Sequence, residues 1–220
     1  MVDVRRAFPD DAGAISGIAN SLRYRPPGSD KGFLVHVLTD QEYRRILEIS
    51  RLSFVAVDGG TVVGYLLVHD ISELERLAAG VLKDDLTVRY VLGQGDRKAV
   101  YADQIGVSLD ARSRGIGQLL ADAMAREHPS AHFLAAIMHK PVKNGISLRL
   151  ALRNGWKLRD ELVEGQFVWG IYEKSSVGQC GQQWANRRTA RQSVNGPPLL
   201  KRLRSLSVTG NLGRRGDDGQ

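Results

Sequence analysis

The sequence predicts an α/β (α+β) domain over residues 1–174, followed by a basic tail over 175–220. Three observations carry this. Short β-branched and aromatic runs alternate with helical apolar patterns along most of the chain. One pair of such runs flanks Asp58-Gly59-Gly60, a tight-turn signal. After Lys174 all periodicity stops, and Gly, Ser, Gln and Arg dominate. With 220 residues, 42% of them hydrophobic and 25% charged, the chain can build one ordinary core.

The elements follow in order. Residues 2–7 alternate and read as a first strand. Pro9, Asp10 and Asp11 open a helix through about Leu22, since proline and acids suit a helix's positive end. Residues 23–33 are a Pro/Gly-rich loop. Thr39 with Glu42 three residues on is a capping-box pattern that starts a second helix. Residues 53–70 form the hairpin, and 71–83 read as helix, with an unassigned segment to Gly95. Residues 98–109 are a fourth strand. Ile116, Leu119, Leu120, Ala123 and Met124 then share one apolar helical face. Residues 131–138 are a fifth strand, 144–156 a helix closed by Gly155, and 165–174 a last strand.

No apolar run approaches the roughly 18–20 residues that span a bilayer, so no transmembrane segment is expected. The N-terminus lacks the apolar core of a secretory signal, and Cys180 is the single cysteine. A cytoplasmic location is the expectation. Of the net charge of +7, six units fall from residue 175 onward. The high isoelectric point therefore describes the tail, and nucleic acid is not expected as a partner. The tail's composition reads as disordered. Within it, Leu199, Leu200, Leu203 and Leu206 share a helical face, but the stretch is too short to hold a helix alone.

The stretch that carries chemistry is Arg112-Ser113-Arg114-Gly115-Ile116-Gly117, followed by Gln118, at the start of an apolar-periodic helix. A helix N-terminus presents unpaired amides with partial positive charge, a ready seat for phosphate. Glycine removes the Cβ that would bar oxygens from the backbone. Arg112 and Arg114 offer bidentate donors. The stretch is neither a dinucleotide fingerprint nor a Walker loop.

The order strand, R-x-x-G-x-G, helix, strand, Asn-led helix, strand resembles the GCN5-related N-acetyltransferase (GNAT) family over residues 2–174. Arg112, Gly115 and Gly117 fill that family's acetyl-CoA motif, while Asn144, Gly155 and Trp156 match its second motif. The resemblance implies a GNAT-like acyl-CoA N-acyltransferase fold: a twisted mixed sheet flanked by helices, with the fourth and fifth strands splayed around the pantetheine arm. It implies that Ile105, Gly106 and Val107 pair with pantetheine through their backbones. Cofactor contacts are thus expected at Ile105, Gly106, Val107, Arg112, Ser113, Arg114, Gly115, Ile116, Gly117, Gln118 and Asn144. Gly106 suits a close ligand approach or a bulge. Acetyl-CoA is the expected co-substrate, with no metal.

The implied reaction is acetyl transfer to a primary amine by direct attack. An ammonium must first lose a proton. Asp103 is the candidate base, because many family members carry an acid at the matching position. Period-two alternation places it on the same side of its strand as Ile105 and Val107. His139, at the end of the fifth strand, is a second candidate base. Many members also carry a tyrosine seven residues after the motif asparagine, as acid to the departing thiolate. Here that position is Ala151. The alternative function is therefore a catalytically weak acyl-CoA-binding sensor or scaffold. Residues 23–33 and 88–98 carry Arg, Lys and Tyr, which hints at a small-molecule or peptide amine bearing an acidic group. A homodimer is left open.

Overall fold

A computed structural model describes residues 1–25 and 32–175. Its strands are β1 (Val2–Arg6), β2 (Phe54–Asp58), β3 (Thr61–Asp70), β4 (Ala99–Val107), β5 (His132–Lys140), β6 (Lys157–Glu164) and β7 (Phe167–Ser175). Its helices are α1 (Ala12–Ser21), α2 (Asp40–Ile49), α3 (Ile71–Ala78), α4 (Leu86–Gly93), α5 (Ile116–Glu127) and α6 (Gly145–Arg153). The strands form one mixed sheet in the order β1-β2-β3-β4-β5-β7-β6. Only β4 and β5 run parallel. Parallel neighbours need a crossover, and α5 supplies it. The tail and its leucine stretch, expected from residue 175, lie outside the described residues beyond Ser175.

Each sheet face has its own core. On one face, α1 to α4 bring Ile15, Tyr43, Ile46, Leu74 and Val88 against Tyr65, Leu67 and Tyr101. On the other, α5 and α6 bring Ile116, Leu120, Met124 and Ala151 against Phe54, Leu66, Val100 and Phe133. Local signals hold where they were strongest. Thr39 Oγ1 accepts from the Glu42 amide at 3.3 Å, and Glu42 accepts from the Thr39 amide at 2.8 Å, which completes the capping box. Gly59 and Gly60 take positive φ of 56° and 83° between β2 and β3, a turn whose twist suits the hairpin.

Four expectations are corrected. Pro9–Asp11 is a single 3-10 turn before α1. α3 ends at Ala78, and the unassigned segment contains α4, capped by Asp85, which accepts from the Thr87 and Val88 amides. β6 was missed: it is a charge-rich edge strand with no fully buried residue, so no buried face stamped an alternation on it. Leu119 is 42% exposed and does not join the buried face of α5.

The feature that positions a site is where pairing stops. β4 pairs with β5 only over Ala99–Ala102 against His132–Ala135. Beyond that, β4 follows β3 to Val107 while β5 follows β7 to Lys140. The sheet opens between them.

Candidate active site

Two hollows meet at this opening. The outer one is a groove of about 700 Å³, walled by Ala111 to Ser113, Gly115 to Gln118 and one side of α6. Ser113 and Gly115 both adopt positive φ, 64° and 73°. A left-handed residue beside extended ones turns successive amides inward, the geometry of an anion nest. None of the amides from Arg112 to Gly117 donates to another described residue. The two glycines differ. Gly115 is demanded by its φ, whereas a Cβ on Gly117 would meet nothing closer than Leu150 at 3.6 Å. Packing within the protein does not require glycine at 117; an approaching ligand would.

Three arginines, Arg112, Arg149 and Arg153, line the groove. Arg149 and Arg153 were not foreseen, although their spacing of four on α6 puts them on one face. Arg114 does not line it. Its guanidinium pairs with Asp58 at 2.7 Å and holds that carboxyl below the usual range.

The inner hollow, about 140 Å³, lies in the splay between Ala102–Ile105 and Ala135–Met138. It shares Phe33, Leu34, Ile105, Ser147 and Leu150 with the groove, so the two form one path. Its charged lining among the described residues is Asp85 and Asp103, without a lysine or arginine. Of the segments behind the hint of an acidic group on the acceptor, residues 26–31 lie outside the described residues. Arg97, from the 88–98 segment, pairs with Glu75, and Tyr90 donates to Asp160.

Asp103 sits in this cavity, but not as alternation placed it. Opposite β3, Leu67 pairs with Gln104 and Val68 with Ala102, so Asp103 is an extra residue in a bulge. A bulge shifts the alternation by one. Asp103 therefore faces His69, at 3.3 Å, on the α1–α4 side, and Ile105 and Val107 pack on the α5–α6 side. Gln104 accepts from Tyr43 and Tyr65. Gly106 has no bulge. A Cβ there would lie 2.5 Å from the Tyr65 ring, so Tyr65 packing alone requires glycine.

His139 also stands in a bulge of β5. It meets Glu161 at 2.7 Å and the Tyr172 hydroxyl at 3.0 Å, and lines neither hollow. Asn144 lines the inner cavity while its amide donates to the Phe33 carbonyl at 2.8 Å and its oxygen caps α6 at Ser147. Gln118 lines the groove and exchanges hydrogen bonds with Asn154, which ties α5 to α6.

The model of the Acetyltransferase (GNAT) family matches residues 38–156, more than half of the chain. This chain belongs to the GNAT family. Among curated proteins none matches it. Solved structures with the same GNAT fold include Ard1 from Thermoplasma volcanium, with a TM-score of 0.58 at 14% identity over 80% of this chain and 98% of that one. A polyamine N-acetyltransferase from Drosophila melanogaster gives 0.52 at 15%, covering 80% and 100%. The PaiA N-acetyltransferase from Thermoplasma acidophilum, in complex with coenzyme A, gives 0.54 at 12%, covering 80% and 99%.

As a GNAT acyltransferase the chain would take acetyl-CoA, and its residues fit that group: amides without a partner among the described residues, an open Gly117 and three arginines meet the diphosphate's needs. Ala151 lines the inner cavity on α6 and offers no hydroxyl. Tyr101 does line it, but its hydroxyl bonds Thr87 at 2.8 Å. Burial, then Asp103 and Asp85, push this phenol well above its ordinary value. Tyr43 is likewise pushed up to about 12, mainly by burial. Both phenols are poor proton donors to a thiolate near 8.5.

Proposed function

We propose that this protein transfers the acetyl group of acetyl-CoA to a primary amine by direct attack in a ternary complex, in the cytoplasm. The observation that carries the reading is the continuous path from a basic nest to an acidic inner end. Ser113 to Gly117 and Arg112, Arg149 and Arg153 hold the diphosphate end. The unpaired edge of β4 from Ile105 to Val107 accompanies the pantetheine arm. The acetyl thioester supplies an activated carbonyl at the inner end.

Asp103 takes the proton that makes the amine nucleophilic, directly or through a water, and Tyr101, Thr87 and Gln104 bound the acceptor. An acceptor that enters as a cation suits Asp85 and Asp103, since an anionic group would face two carboxylates. The thiolate leaves without an acid, which its modest basicity allows. His139 serves structure in this scheme, locked between Glu161 and Tyr172.

The test uses the full chain, acetyl-CoA and a panel of primary amines, with free thiol followed over time. Thiol release that depends on the amine supports transfer, with cationic diamines ahead of amino acids. Calorimetric binding of acetyl-CoA with no release under any amine would replace this reading with the acyl-CoA sensor that Ala151 favours.

A further inference from the structure

Coenzyme A carries, besides its diphosphate, a phosphate monoester on the 3′ oxygen of its ribose. At neutral pH such a group holds close to two negative charges. Acetyl transfer does not use it, yet the groove has cations to offer it. Arg112 and the turn from Ser113 to Gly117 form one wall, and both come from a single stretch of chain. Arg149 and Arg153 stand on the other wall, one helical turn apart on α6. Arg5, Arg6, Arg97, Arg114 and Arg159 each pair with a carboxylate. Arg149 and Arg153 have no ion pair or hydrogen bond from their guanidinium groups among the described residues.

The two arginines flank the nest without facing it. The α6 residue that meets Gly117 is apolar: Leu150 would lie 3.6 Å from a Cβ there. The next residue of α5, Gln118, is bonded to Asn154. Leu150 and Asn154 therefore point at α5. Arg149 and Arg153, each one residue earlier, leave the helix about 100° away from them. Both are exposed while lining the groove, which puts them at its rim. Arg149 also folds back along its own helix, since its Nη1 would lie 3.3 Å from a Cβ on Gly145, the first residue of α6. The inner hollow has no lysine or arginine among the described residues, so the phosphates belong in the groove. Along coenzyme A the order is thioester, pantetheine, diphosphate, ribose. With the thioester inside and the diphosphate on the nest, the 3′-phosphate is the next charge outward.

We propose that Arg149 and Arg153 form a subsite for the 3′-phosphate, through which this enzyme discriminates coenzyme A from its dephospho form. The proposal rests on the acetyl-CoA reading of the groove and divides the diphosphate end in two. The amides and Arg112 take the diphosphate, and the α6 arginines take the monoester. Their Cβ atoms, one turn apart, are separated by about 6 Å. At that spacing two planar guanidinium forks can close on one phosphate from two sides. Water and salt screen exposed contacts of this kind, so the gain for the pair is modest, about tenfold.

Calorimetry on the full chain tests this as a cycle, with CoA and dephospho-CoA as ligands, and the wild type and the double change Arg149→Ala with Arg153→Ala as proteins. Binding is read without turnover. The wild type should bind CoA about tenfold more tightly than dephospho-CoA. The double variant should bind both alike within about twofold, at the wild-type affinity for dephospho-CoA. Alanine suits an exposed helical position, and glutamine at both sites repeats the test should alanine disturb α6. Arg89→Ala with Arg126→Ala removes the same charge outside both hollows and should leave the preference intact. A wild type that binds both ligands equally overturns the proposal. So does a double variant that weakens both by the same factor, since the arginines would then serve the diphosphate. A preference lost equally on removing Arg89 and Arg126 also overturns it, because net charge alone would account for it. If neither ligand binds, the acetyl-CoA reading falls together with the subsite. If CoA is preferred but no amine releases thiol, the transfer reading falls and the subsite stands.

Discussion

The groove and the inner cavity differ in charge and in how the chain builds them. The groove is basic, and one of its walls is a single short stretch, Ala111 to Ser113 and Gly115 to Gln118, with one face of α6 forming another. The cavity is acidic. Its walls come from residues as far apart as Phe33 and Trp169, brought together by the splay of β4 from β5. The contrast teaches that a turn with inward amides can be built by local backbone geometry, whereas an enclosed cavity needs a three-dimensional frame. The two halves should therefore fail separately.

The largest effect is expected inside the cavity. Asp103→Asn should lower kcat about a hundredfold, while calorimetry finds acetyl-CoA affinity unchanged. A variant that turns over like wild type across neutral pH would take Asp103 out of the chemistry. The groove should show the reverse pattern. The double change Arg149→Ala with Arg153→Ala should weaken CoA binding about tenfold, with kcat at saturation preserved. This deficit should shrink in high salt, since ions screen the same contacts. A loss confined to kcat would break the division between the hollows.

Ala151→Tyr probes the boundary between them. It restores a hydroxyl on the cavity side of α6. Acetyl-CoA binding should persist, and turnover should rise by about threefold or less, because the thiolate already leaves readily. Loss of binding by calorimetry would show that position 151 faces the diphosphate path.

The smallest effect lies at the closed end of the splay, where both hollows are anchored. His132, paired with Ala99 in register, stands between Glu173 at 3.3 Å and Asp96 at 2.6 Å. The Glu173 hydrogen bond, joined by Asp96, raises its imidazole above the ordinary value against burial. A raised folded-state value means stabilisation that is complete below about 6.5 and fades as pH climbs through the folded value. His132→Gln should thus lower Tm by a few degrees near pH 5.5, and by less near pH 9. An equal deficit at both ends would sink the charged-histidine account. His128 runs the other way. Burial and Arg6 hold it below its ordinary value, so it opposes folding when acid charges it.

How much was legible follows the same line. The capping box at Thr39, the Gly59-Gly60 turn and the glycine turn that opens α5 were readable because each depends on residues within a few positions of one another. Arg149 and Arg153 were readable in principle from their spacing, but nothing local says which face of α6 meets the groove. Gly106 carries a requirement the sequence hid: a Cβ there would meet the Tyr65 ring on the neighbouring strand. β6 was invisible because an exposed edge strand needs no apolar face.

By itself the sequence determined the class of fold and the family, since those rest on short-range pattern and backbone freedom. Tertiary structure alone decided which side of β4 carries Asp103. One extra residue against β3 turns that carboxylate away from Ile105 and onto His69. Alternation is a property of a single strand, but a bulge belongs to a pair, and only the folded sheet brings the pair together.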